Sequence, residues 1–247
     1  MWLAPHVPHR VRIVAHASPA GLGACSRMRT YFCANPKDKI LLRNIAPLIL
    51  AAGESSRIGF PKALLPLGHR TFLTCILDTL EELDLAEPCV ILGSHAERIR
   101  PQLLDRRARV VINPDPGQGQ LSSIKLALEQ IEASCSACLI WPVDQPGVPV
   151  TVVRDLIRLF ESTAPRIVLP VYQGRRGHPA LFSRSLFAEL LDTPLNEGAR
   201  AVVLGHRDEI ALVQTTEPAT VLDIDTAEDY RRLTGETLES AIKRSSQ

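Results

Sequence analysis

From Pro47 onward, short apolar runs alternate with stretches in which apolar residues recur at helical spacing. Pro47-Leu-Ile-Leu-Ala-Ala-Gly53 reads as a buried strand that ends on small residues, and Phe72, Leu73, Ile76, Leu77, Leu80 and Leu83 share one face of a helix over 71–84. Cys89–Gly93 is a second buried strand. The alternation continues with a helix over 99–104, a strand over 109–112, a helix over 122–131, a strand over 137–140 and a helix over 150–160. Strands at 166–170 and 179–182 flank the turn-rich Gln173-Gly-Arg-Arg-Gly-His178, a hairpin pattern. The last third adds helices near 183–191 and 198–204, strands near 210–213 and 220–224, and a closing helix from Ala227. This order predicts an α/β fold with a mainly parallel sheet and helices on both faces. Ligands bind such sheets beyond the carboxyl ends of the strands, so the loops that follow strands carry the chemistry.

Length and charge sharpen the organisation. At 247 residues and 45% apolar content, the chain can bury one substantial core. Residues 1–46 hold seven Lys/Arg against one acid, which leaves 21 against 26 for the rest. The expectation is a basic, disordered N-terminal extension over 1–46, a catalytic domain over 47–235 and a C-terminal tail over 236–247. A mildly acidic body argues against a nucleic-acid partner, which would require clustered surplus cations. No apolar stretch approaches the roughly 20 residues needed to span a bilayer, so no membrane partner is expected. Cys75 and Cys89 lie inside apolar runs, as buried thiols do in a reducing compartment, and cytoplasmic residence is the expectation. Cys135 and Cys138 form a C-x-x-C without a second ligand pair at zinc spacing.

The first strand runs into Leu50-Ala-Ala-Gly-Glu-Ser-Ser-Arg-Ile-Gly-Phe-Pro-Lys62. Ala51, Ala52 and Gly53 are small enough for a base or ribose to lie against the backbone, and the glycines permit turns that aim N–H groups at phosphate oxygens. Arg57 and Lys62 supply cations for the charge that grows at an α-phosphorus and on departing pyrophosphate. No Gly-Lys-Ser/Thr ending follows, so this is not a P-loop. The segment resembles, residue for residue, the L-A-A-G-x-S-x-R-x-G-x-P-K signature of nucleotidyltransferases. That resemblance makes Leu50, Ala51, Ala52, Gly53 and Ser56 nucleotide-binding candidates and Arg57 and Lys62 catalytic ones.

Nucleotidyl transfer needs a divalent cation, and Mg²⁺ prefers one or two carboxylates plus water and substrate. Asp144, in Trp141-Pro-Val-Asp-Gln-Pro146, lies just past a buried strand. Asp225, in Leu222-Asp-Ile-Asp-Thr-Ala-Glu-Asp229, lies between a strand pattern and a helix start. Asp144 has a second reading as a helix N-cap or a turn acid, and Asp225 as the cap of the helix that follows it. In the same family an Asp-x-Pro element follows a core strand and D-I-D-T-P-E-D is common near the end. Ala227 stands where the family often has proline.

Asn113-Pro-Asp-Pro-Gly-Gln-Gly-Gln-Leu-Ser-Ser-Ile-Lys125 resembles a stretch of molybdenum cofactor cytidylyltransferases, as does Gly177-His178-Pro179. Asn113, Gly119 and Ser123 are therefore nucleotide-binding candidates, and Ser122, Gly177 and His178 acceptor-binding ones. The resemblance covers about 47–234. It implies a Rossmann-like three-layer sandwich of the nucleotide-diphospho-sugar transferase type, Mg²⁺ as cofactor, an NTP and a phosphorylated acceptor such as molybdopterin as substrates, and a molybdenum hydroxylase as a further partner. Guanylyltransferases of this group usually carry Leu-Ala-Gly-Gly where this chain has Leu50-Ala-Ala-Gly53, which favours CTP over GTP. Two other readings stay open: a sugar-1-phosphate nucleotidyltransferase, and a non-catalytic assembly factor for a molybdenum enzyme.

Overall fold

A strand buried on both faces belongs inside a parallel sheet, and β1 (Ile45–Ala51) is buried at every position. The computed structural model describes residues 44–245. After β1 come a short hairpin, β2 (Pro66–Leu67) and β3 (Arg70–Thr71), then α1 (Phe72–Glu81), β4 (Cys89–Leu92), α2 (Ala96–Ile99) and β5 (Arg109–Ile112). The middle of the chain forms α3 (Gln120–Leu128), β6 (Ala137–Pro142), α4 (Val150–Thr163), β7 (Ile167–Tyr172), β8 (Arg175–Arg176) and β9 (Ala180–Ser183). It closes with α5 (Phe187–Asp192), α6 (Ala199–Gly205), β10 (Ile210–Gln214), α7 (Ala227–Thr234) and α8 (Leu238–Ser245).

The main sheet has the order β10-β7-β9-β6-β1-β4-β5, with β8 paired to β7. β6, β1, β4 and β5 run parallel, whereas β9 is antiparallel to both of its neighbours. Alternation along β1 sends Ile45 and Ile49 to one apolar layer and Leu48 and Leu50 to the other, so helices cover both faces. Phe72, Leu73, Ile76, Leu77 and Leu80 of α1 join the first layer, and Leu121 and Ile124 of α3 join the second. Each such fully buried side chain stabilises the fold by about 1.5–3 kcal/mol before entropy is counted. The expected three-layer α/β architecture is the one found, and the 173–178 turn does join antiparallel strands.

Some boundaries differ from the sequence reading. Ile45 and Ala46, expected to close the extension, are buried in β1, while residues 1–43 lie outside the described residues. The segment expected as a tail contains α8, whose Ala241 is fully buried in the first layer. Pro101 lacks the N–H that would continue α2, which gives way to a 3-10 turn over Arg100–Leu103. Thr220–Ile224 is not a strand. Its carbonyls and amides are spent elsewhere: Thr220 O accepts from His178 N at 2.8 Å, and Ile224 N donates to Asp144 O at 3.1 Å. Among the described residues no helix is long and apolar enough to cross a membrane. Cys75, Cys89, Cys135 and Cys138 are buried thiols, and burial pushes Cys89 up to about 11. Cys25 and Cys33 lie outside the described residues.

Candidate active site

β1 is flanked by β4 on one side and β6 on the other, so a crevice opens beyond its carboxyl end, at the point where the strand order reverses. A cavity of about 350 Å³ lies there. Leu50, Ala51, Ala52 and Gly53 line it from β1, and Ser56, Arg57 and Lys62 from the loop that follows. Gly119 and Ser123 reach it from the start of α3, Asp144 from the turn after β6, and Asp225 from the approach to α7. Four stretches far apart in sequence are thus brought to one place.

The loop is held by its own backbone. Ser55 adopts a left-handed conformation at φ 54°, its carbonyl accepts from Ile58 N and Gly59 N, and its Oγ accepts from Lys62 N at 3.1 Å. A non-glycine residue in that region carries strain that surrounding contacts must offset. Lys62 Nζ donates to Asp144 Oδ2 at 2.9 Å and to Asp225 Oδ1 at 2.5 Å. Arg57 Nη2 lies 2.9 Å from Asp225 Oδ2. The Lys62 side chain is only 14% exposed against 70% for Arg57, so the Lys62 contacts are the better shielded. Burial alone would lower the Lys62 pKa, but the Asp144 and Asp225 carboxylates outweigh it and hold the ammonium above its usual range.

The helix starts exclude the capping reading for both acids. α7 is capped by Thr226, whose Oγ1 accepts from Asp229 N while the Asp229 carboxylate accepts from Thr226 N. α4 begins after Pro149, away from Asp144. Neither Asp144 nor Asp225 is an N-cap. Both reach a single Nζ, so their oxygens are close enough to share one cation. Among the described residues there is no group of three or more His, Cys, Asp or Glu fit to hold a metal. A divalent ion here would complete its shell with phosphate oxygens and water, the usual set for a hard cation.

Four candidates do not line the cavity. Asn113 is buried behind it, donating from Nδ2 to Ser122 Oγ and Ser123 Oγ at 2.8 and 2.9 Å, while Ser122 Oγ donates to Gly119 O. These bonds shape the start of α3. Gly177 and His178 precede β9, and because β9 runs against β6, with Ala180 beside Ile140, its beginning lies at the ligand edge. A Cβ on Gly177 would run into the Thr220 carbonyl oxygen. Burial lowers the His178 pKa against the pull of Asp144, Asp223 and the Ile140 carbonyl, so the ring is neutral at pH 7. Its Nδ1 is buried without a partner.

Sequence reasoning passed over Ser55, His95 and Gln145. Ser94 Oγ donates to Glu54 Oε1 and the His95 ring bonds Glu54 O, which ties the loop after β4 to the first loop. Gly93 permits this closure, since a Cβ there would strike the Ala52 carbonyl oxygen. The Gly93 and Gly177 signals were visible as glycines after or before strands, but which backbone they would approach was not.

A doubly wound sheet whose first strand ends in a glycine-containing loop, faced by paired carboxylates, is the architecture of a nucleotidyltransferase. The chain belongs to the MobA-like NTP transferase domain family, whose model matches residues 47–210. It is 31% identical over 199 residues to nicotine blue oxidoreductase from Paenarthrobacter nicotinovorans, covering 76% of this chain and 96% of that one. It is 27% identical over 186 residues to molybdenum cofactor cytidylyltransferase from Escherichia coli (strain K12), covering 74% and 92% respectively. The crystal structure of Rv0371C in complex with manganese, from Mycobacterium tuberculosis H37Rv, superposes with a TM-score of 0.67 at 29% identity, covering 78% of this chain and 98% of that one. The names of these relatives span two reaction classes. Fold likeness alone does not choose between them, so the choice rests on the site.

Proposed function

We propose that this chain transfers CMP from CTP to a phosphorylated acceptor of the molybdopterin type, with Mg²⁺, releasing pyrophosphate in the cytoplasm. The observation that carries the reading is the convergence of Lys62, Asp144 and Asp225 at the mouth of a cavity floored by Ala51, Ala52 and Gly53. Two carboxylates facing a shielded ammonium beside backbone open to a base are suited to phosphoryl chemistry. Asp144 and Asp225 would hold Mg²⁺, which when bound neutralises charge on the phosphate oxygens.

The chain's own groups account for the rest of the reaction. Small side chains at 51–53 leave the backbone open to base and ribose. Arg57 and Lys62 stabilise the charge that builds on the α-phosphoryl group and on pyrophosphate as the acceptor phosphate attacks in line. A phosphate monoester is already nucleophilic at neutral pH, so no protein nucleophile is required. Neutral His178 at the same sheet edge offers a hydrogen bond to the acceptor. Ala52, where guanylyltransferases carry glycine, supports CTP over GTP.

Incubation of purified protein with each NTP, Mg²⁺ and either molybdopterin or a panel of sugar phosphates tests the reading. Pyrophosphate release is expected with CTP and molybdopterin. Release only with a sugar phosphate would reassign the acceptor, and release with none would leave a binding protein.

A further inference from the structure

The turn after β6 is stitched to the segment before α7. Trp141 Nε1 donates to Gln145 O at 2.9 Å, Gln145 N donates to Pro142 O at 3.2 Å, and Ile224 N donates to Asp144 O at 3.1 Å. The side chain of Gln145 completes the seam, with Nε2 donating to Asp223 Oδ1 at 2.5 Å. Gln145 is 3% exposed, and its Oε1 is buried without a partner. A carboxylate can only accept, so the orientation of the carboxamide is imposed by Asp223, and its oxygen end is left unpaired. A buried, unpaired carbonyl oxygen opposes folding, and an apolar side chain of similar volume would fill the place without it. Packing therefore does not explain a glutamine here.

The segment that Gln145 grips explains it better. Leu222 leaves the 3-10 turn in extended backbone and Thr226 is extended again, with Ile224 fully buried between them. Asp223 and Asp225 flank Ile224 on either side, and neither is buried with it. Asp223 meets Gln145, and Asp225 meets Lys62 and Arg57. Pinning the first acid sets the direction of the second.

We propose that Gln145 is a positioning residue: by holding Asp223 it fixes the extended segment so that Asp225 stands opposite Asp144 at the distance one cation requires. The role rests on the reading of Asp144 and Asp225 as the cation-holding pair. Asp223 acts through its hydrogen bond and not through its charge.

The test compares CTP affinity with and without MnCl₂ by titration calorimetry, with no acceptor present, in the full chain. Wild type binds CTP more tightly with Mn²⁺ than without. Gln145→Met loses about tenfold or more of that enhancement, the usual cost of removing an outer-shell partner, while metal-free CTP affinity is unchanged. Asp223→Ala, at an exposed position, does the same and serves if Gln145→Met does not fold. Asp223→Asn still accepts from Nε2 and retains the enhancement. An unchanged enhancement in Gln145→Met and Asp223→Ala, or a loss in Asp223→Asn equal to that in Asp223→Ala, overturns the positioning role alone. A wild-type protein that shows no enhancement by Mn²⁺ overturns the reading of the carboxylate pair, and the role of Gln145 with it.

Discussion

Lys62 Nζ stands 2.9 Å from Asp144 Oδ2 across a sequence separation of 82 residues, and the same nitrogen donates to Asp225. One ammonium therefore reports where both carboxylates are. Lys62→Ala should lower turnover by about 10²–10³-fold, the scale set by loss of one preorganised group that stabilises developing charge. Pyrophosphate release under saturating CTP and Mg²⁺ is the measurement, and near-normal rates would remove Lys62 from the reaction.

Ala52 lines the floor of the cavity, and the proposed preference for CTP over GTP rests on its methyl group. Ala52→Gly should shift the ratio of kcat/KM for GTP over CTP upward by about tenfold or more, the discrimination a single methyl can provide. Competition assays with the two nucleotides read the ratio directly. No shift would place base selection elsewhere in the pocket.

Gly93 lets the loop after β4 lie against the carbonyl of Ala52. Gly93→Ala should push that backbone aside, costing about 1–3 kcal/mol of stability as overpacking does, and raise KM for the nucleotide. Thermal melting and initial rates over a range of CTP concentrations check both effects. A stable variant with an unaltered KM would mean the two loops separate without consequence.

His206 links α6 to its surroundings through Nε2 to Glu189 at 2.7 Å and Nδ1 to Glu209 at 2.8 Å, with Arg166 on the far side of Glu209. Hydrogen bonds that the ring donates to the Glu209 and Glu189 carboxylates raise its pKa above the usual histidine range. The stabilisation from the charged ring is therefore complete below about pH 6.5 and is lost as pH rises through the higher folded value. The melting temperature should fall between pH 6 and pH 8.5 more in wild type than in His206→Gln. Equal slopes for the two proteins would refute the contribution.

Much of this was legible in the chain. Buried strands declared themselves as apolar runs, and the thirteen residues from Leu50 to Lys62 named their chemistry by combining small, glycine and cationic positions in one turn. The error at Thr220–Ile224 has a physical cause: Val221 and Ile224 are buried as strand residues would be, yet the segment's backbone bonds, from Thr220 O and Ile224 N, go to His178 and the Asp144 turn and not to a ladder. Gln145 was hidden for a related reason. A polar residue between Asp144 and Pro146 looks like a turn residue until its partner, 78 positions away, is known. The cap at Thr226 could be suspected from Thr226 and Asp229, but only the fold shows that it frees Asp225 to face inward.

The distance in sequence between Lys62 and Asp225, 163 residues, bears on biosynthesis. During synthesis the signature loop leaves the ribosome with its cations long before either counter-charge exists. Until residue 225 has been added, the nascent chain carries two basic groups, Arg57 and Lys62, that the finished protein pairs with the same carboxylate. The later of the two acids thus completes the electrostatic balance of the loop that follows β1.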